Sequence, residues 1–177
     1  MLFDTHAHLD DRAFDTDREA LLDGLADRQI ALVMNPGCSL ESSRNAVSLA
    51  EKYPFVYAAV GIHPDHAKEL NEEEFHVLKT LAAEEKVVAI GEIGLDYYWV
   101  KDEEQRKLQR EIFIRQLDMA RQLHLPVCVH DREAHGDILA ILKKEARDIR
   151  GVMHCYSGSL EMARELMKLD WFIGVDG

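Results

Sequence analysis

His6 and His8 stand one residue apart in the opening "MLFDTHAHLDD". Their i, i+2 spacing puts both imidazoles on one face of an extended chain, where both can reach one metal ion. Donors of the same kind recur at His63 in "GIHP", Glu92 in "GEIGLD", His130 in "VCVHDR" and His154 in "VMHCYSG". Imidazole and carboxylate suit zinc and similar divalent ions, and a carboxylate has two oxygens with which to bridge a pair of them. Taken singly, each has a plainer reading. An HxH pair arises by chance, a lone histidine is usually a hydrogen-bonded structural residue, and Glu92 after Gly91 can merely cap a loop. The joint pattern is much stronger. Of nine histidines, five close apolar runs, whereas His66, His76, His124 and His135 fall in helical or loop segments and are expected at the surface.

Other polar residues lie close by. Arg132 follows His130 by two and faces the same way in an extended chain; it can clamp a phosphate or form a surface salt bridge with Asp131 or Glu133. Tyr97, Tyr98 and Trp99 can stack nucleobases or pack down over the sheet. Asp96 can orient a ligand histidine or start a turn. Asp10 and Asp11 lead toward the first helix. Cys38, Cys128 and Cys155 are odd in number and far apart, which fits free thiols in a reducing cytoplasm; buried, such residues behave as small hydrophobes.

The elements that must position these groups are legible as an alternation. Apolar runs ("LFDTH", "IALVMNPG", "FVYAAVGIHP", "VVAIGEIGLD", "LPVCVHDR", "RGVMHCYSG", "WFIGVDG") are separated by amphipathic stretches such as "LESSRNAVSLAEKY" and "EQRKLQREIFIRQLDMARQL". In the latter, Ile112, Leu117, Met119, Ala120 and Leu123 form an apolar stripe at roughly helical spacing. Strands that are apolar on both faces, alternating with helices, imply a parallel sheet covered by helices. Seven such strands make either a (β/α) barrel or a doubly wound sheet, and both gather their chemistry at the carboxyl ends of the strands. His6 and His8 close the first run, His63 the third, Glu92 the fourth, His130 the fifth and His154 the sixth.

At 177 residues and 47% hydrophobic composition, the chain can bury a core as one domain. Its 33 acidic and 21 basic residues leave a net charge of -12, which argues against a broad basic nucleic-acid surface. It leaves room for an enzyme that meets phosphates through bound cations. No apolar run approaches the ~20 residues that span a bilayer.

The stretches "FDTHAHLD", "GIHP", "GEIGLDYY", "QREIFIRQLDMARQLHLPVCVHDREAH" and "MHCYSGS" together resemble the TatD family of metal-dependent deoxyribonucleases, of the amidohydrolase-type barrel superfamily. The resemblance implies a TIM-type (β/α) barrel and two divalent ions (zinc, magnesium or manganese) held by His6, His8, Glu92, His130 and His154, with Glu92 bridging. It implies hydrolysis of DNA phosphodiesters at single-stranded or frayed ends, with catalytic roles for Glu92, His63 and Arg132 and with Tyr97 near the substrate.

A (β/α)8 barrel typically needs ~250 residues, so residues 1–177 are expected to form one barrel domain with about seven of eight strands. The last helix–strand–helix portion would be lacking. The family's further strand end carries an aspartate that binds metal and handles the proton of the attacking water. Asp176 ends the last run, but one strand too early to take its place. Unpaired barrel edges predict self-association and weak catalysis. Two rival enzymes are amide, lactone or phosphotriester hydrolases, which often bridge their metals with a modified lysine where Glu92 stands, and phosphoesterases of the polymerase-and-histidinol-phosphatase type, which "GEIGLDYY" does not suit. The non-enzyme reading is a truncated form that binds metal without turnover.

Overall fold

The computed structural model describes residues 1–175, so Asp176 lies outside the described residues. Strands β1 (Leu2–Asp4), β2 (Ile30–Pro36), β3 (Val56–Val60), β4 (Val87–Asp96), β5 (Val127–Arg132), β6 (Gly151–Met153) and β7 (Phe172–Ile173) alternate with six helices. These are α1 (Arg18–Asp23), α2 (Leu40–Lys52), α3 (Glu72–Leu81), α4 (Glu103–Leu123), α5 (His135–Glu145) and α6 (Leu160–Met167). The strands are all parallel and lie in sequence order from β1 to β7. A doubly wound sheet reverses its order at a switch point, and this one does not. It curls instead. His6, just past β1, stacks face to face on His154, just past β6, with ring centroids 3.7 Å apart and planes 5° from parallel.

Alternation along each strand sorts residues between two faces. Val33, Ala58, Ile90, Val127 and Val129 join the main core with Leu22, Leu78, Phe113, Leu117, Ile138, Leu142 and Leu166 of the helices. Their strand neighbours Met34, Ala59, Ala89 and Cys128 form a separate small cluster on the inner, concave face. The expected stripe on α4 is seen, with Ile112, Leu117, Met119 and Ala120 buried and Leu123 partly so. Asp102 caps that helix by accepting from the Gln105 N–H at 3.0 Å.

The same face of α4 carries Gln109 and Gln116, both buried and seven residues apart. Gln116 accepts from the Ile62 N–H at 2.7 Å and donates to the Ile62 carbonyl at 3.0 Å. Gln109 accepts from the Asp96 N–H at 3.1 Å and donates to the Pro64 carbonyl at 3.4 Å. Helix α4 therefore fixes the chain on either side of His63 and at the end of β4. Gln116→Ala leaves a buried N–H and C=O without partners and is expected to cost about 1–3 kcal/mol in urea unfolding. An unchanged midpoint would show that these bonds contribute little.

Candidate metal centre

One irregularity in the sheet places the central residue. Ile90 of β4 pairs with Val127 of β5, and Ile93 pairs with Val129, so three steps on β4 meet two on β5. Both isoleucines stay in the outer core. The extra residue is a bulge, a device that re-aims side chains, and it turns Glu92 inward. Glu92 thus sits inside β4 and not at its end, as the sequence pattern suggested. Its N–H donates to the Gly37 carbonyl at 2.7 Å, tying the bulge to the segment after β2. Beyond it, Gly94 stands opposite His130 in the register of β4 and β5, and its lack of a side chain lets the His130 backbone approach closely.

Five imidazoles surround the Glu92 carboxylate and divide between its oxygens. Oε2 lies 3.5 Å from His6 Nε2 and 3.4 Å from His8 Nε2. Oε1 lies 3.0 Å from both His130 Nδ1 and His154 Nε2, and 4.0 Å from His63 Nε2. His130 Nε2 meets Asp96 Oδ2 at 3.3 Å, which fixes the ring's orientation. The structure therefore brings His6, His8, His63, Glu92, His130 and His154 together, and Asp96 with them.

The donors fit divalent cations. His6 Nε2 and His8 Nε2 face each other at 3.0 Å while both approach one carboxylate oxygen. Among the described residues three such groups, His6–Glu92–His154, His8–Cys38–Glu92 and His63–Glu92–His130, each bring their donor atoms within 4.8 Å of one another. Imidazole, thiol and carboxylate donors of this kind suit a divalent ion such as zinc. Burial alone would push the Glu92 carboxyl up, but hydrogen bonds from His130, His154, His6 and His8 outweigh it and hold Glu92 ionised, well below the usual carboxylate range. Burial lowers His6 and brings His63 down to about 4, so His63 is neutral at pH 7. The hydrogen bond to Glu92 raises His8. His130 is raised as well, because Glu92 and Asp96 overcome its burial.

Several residues stand differently from their sequence reading. Tyr97 does not face the cluster: it is buried, and its hydroxyl donates to Asp137 at 2.7 Å and accepts from Arg110 at 2.9 Å. A ring packed into the wall cannot stack a base. Arg132 pairs with neither Asp131 nor Glu133 among the described residues; its guanidinium lies over Tyr98 and Trp99. Cys38 belongs to the centre, with Sγ 3.6 Å from Glu92 Oε2 and 4.0 Å from His8 Nδ1. Asp10 does more than lead into a helix: it exchanges hydrogen bonds with buried Asn35 and accepts from Ser42 Oγ at 2.7 Å, which fixes the loop after His8. Its place two residues after an HxH pair was the only signal.

Residues 3–177 match the family model described as "TatD related DNase". The chain belongs to this family. The TatD-family chain is 41% identical over 178 residues to the "Uncharacterized metal-dependent hydrolase YabD" of Bacillus subtilis, covering 100% of this chain and 69% of that one. It is 34% identical to the "3'-5' ssDNA/RNA exonuclease TatD" of Cronobacter sakazakii, covering 99% and 66% respectively. Its fold superposes on the solved TatD homolog YJJV from Escherichia coli with a TM-score of 0.87 at 33% identity, over 97% of this chain and 66% of that one. The TatD-family chain thus spans about two thirds of the length of these relatives. Among its described residues, no helix is long and apolar enough to cross a membrane.

Proposed function

We propose that this chain carries the metal-binding strands of a TatD-type phosphodiesterase that hydrolyses DNA at single-stranded or frayed ends. The observation that carries the reading is the division of labour at Glu92, whose two oxygens each face two imidazoles within 3.5 Å. His6 and His8 would hold one divalent ion, His130 and His154 a second, and Glu92 both. When bound, such a pair supplies an acidified water and stabilises charge on the attacking and leaving oxygens of a phosphodiester. The chain's own groups do the rest. Asp96 keeps His130 turned toward Glu92, and Glu92 gathers the imidazoles on the inner face. Neutral His63 offers a hydrogen bond beside them, and Arg132 supplies a cation for the phosphate. In the same reading, residues 1–177 form one barrel domain whose exposed edge strands β1 and β7 offer pairing to a second copy or to further chain.

Cleavage of a single-stranded oligonucleotide is expected only with added divalent metal and should stop with EDTA. Because the net charge is -12, few phosphates are contacted, and the salt dependence should be shallow. Full activity in EDTA, or turnover of a cyclic amide without DNA cleavage, would refute the reading.

A further inference from the structure

The geometry points to a nucleobase-stacking shelf beside the cluster, formed by Tyr98, Trp99 and Arg132, that takes one unpaired base of a nucleic-acid strand; this rests on the proposed phosphodiesterase reading and adds how the strand is gripped. The Arg132 guanidinium lies 4.0 Å from the Tyr98 ring centroid and 5.6 Å from that of Trp99. The two rings meet edge to face, with centroids 4.6 Å apart at 87°. Tyr98 is 40% exposed and Trp99 is 66% exposed. An indole that only filled a wall would be buried, as Trp171 is at 3%.

The neighbouring carboxylates leave Arg132 alone. Asp131 is taken by His135 at 2.8 Å, and Glu133 by Lys101 at 3.3 Å. Among the described residues the guanidinium makes no ion pair, so its edge is available to a phosphate while its face rests on the rings.

One carboxylate locks this shelf to the centre. Asp96 Oδ1 accepts from the backbone N–H groups of Tyr98 at 2.9 Å and Trp99 at 3.2 Å, while its Oδ2 meets His130 Nε2 at 3.3 Å. In the backbone register of β4 and β5, Asp96 also stands opposite Arg132. A base on the shelf therefore holds its phosphate next to the cluster. A surface of net charge -12 repels a phosphate chain, so attachment has to come from a neutral contact such as stacking, helped by few cations. Every base has a π-face, so the shelf selects no sequence. It does select single strands, because duplex bases are already stacked on each other.

The test is a titration of the full chain with an oligo(dT) strand whose 3′-terminal phosphorothioate linkages resist cleavage. The chain has two tryptophans, and Trp171 is buried with its indole N–H bonded to the Ile149 carbonyl, so quenching of emission reports Trp99. Quenching by the strand, and none by an abasic strand of equal length and charge, is expected. Because the Trp99 variants lack this fluorophore, affinities are compared by the anisotropy of a fluorescein-labelled copy of the same strand. Trp99→Ala should weaken binding roughly 10-fold or more, Trp99→Phe should restore most of it, and Arg132→Gln should lower the salt slope by about one phosphate. Equal affinity of Trp99→Ala and wild type, or equal binding of the abasic strand, would overturn the shelf. If wild type still cleaves DNA with metal in that case, the shelf alone has failed. If wild type neither binds nor cleaves any strand, the phosphodiesterase reading falls with it.

Discussion

Glu92→Gln is expected to abolish stable metal loading and DNA cleavage while leaving the fold intact. The amide has the carboxylate's shape but lacks the charge that both imidazole pairs converge on. Losing a residue that merely orients a metal ligand typically costs 10–100-fold in affinity or activity, so losing the shared anion should exceed about 100-fold in both. Elemental analysis and a cleavage assay read the two losses, and circular dichroism reads the fold. The metal-free proteins supply a second signature. Glu92 ionises below its usual value of 4.5, so its ionised form adds stability above pH 4.5, and that contribution fades as the pH falls further. The gap in unfolding midpoint between wild type and Glu92→Gln should therefore narrow on acidification. Metal content equal to wild type in the variant would remove Glu92 from the centre.

Gly94→Ala is expected to leave little folded protein, although it adds a single methyl. Gly94 has φ = +146°, a conformation that side chains rarely adopt. A Cβ there would sit 2.0 Å from the His130 carbonyl oxygen and 2.9 Å from the carbon. Both partners are backbone of paired strands, so nothing can swing aside; β4 and β5 would have to separate. The combined strain and lost pairing should exceed the ~4–5 kcal/mol that marks an exceptional substitution, against a typical total stability of ~5–15 kcal/mol. Any folded fraction should bind metal poorly, since His130 is the residue displaced. Gly136→Ala is the control. Apart from its chain neighbours and the backbone of its own helix turn, no atom lies within 4 Å of a Cβ at that position in α5, and the helix should gain up to about 1 kcal/mol. Thermal melts of the two variants decide the matter: a Gly94→Ala midpoint matching wild type would mean that the strands part more easily than close packing allows.

How much of this was written in the chain can be judged from particular residues. Periodicity alone determined the alternation of strands and helices, because apolar runs and amphipathic stripes reflect which faces meet water. The types of His6, His8, His63, Glu92, His130 and His154, and their places near strand ends, marked a donor set before any fold was known. Spacing did not decide between a barrel and a doubly wound sheet. That choice depends on which strands are neighbours, and it appears only when His6 stacks on His154 across the curled sheet. Nor did spacing reveal the bulge that turns Glu92 inward, since one extra residue against β5 is a property of the pairing of two strands. Tyr97 and Trp99, two residues apart, read alike as loop aromatics; tertiary packing buried one against Asp137 and Arg110 and left the other in water. Cys38, Gln109 and Gln116 carry no local mark of their roles. Their partners lie 54, 13 and 54 residues away in sequence, and only the closing of the sheet and the docking of α4 bring such partners within reach.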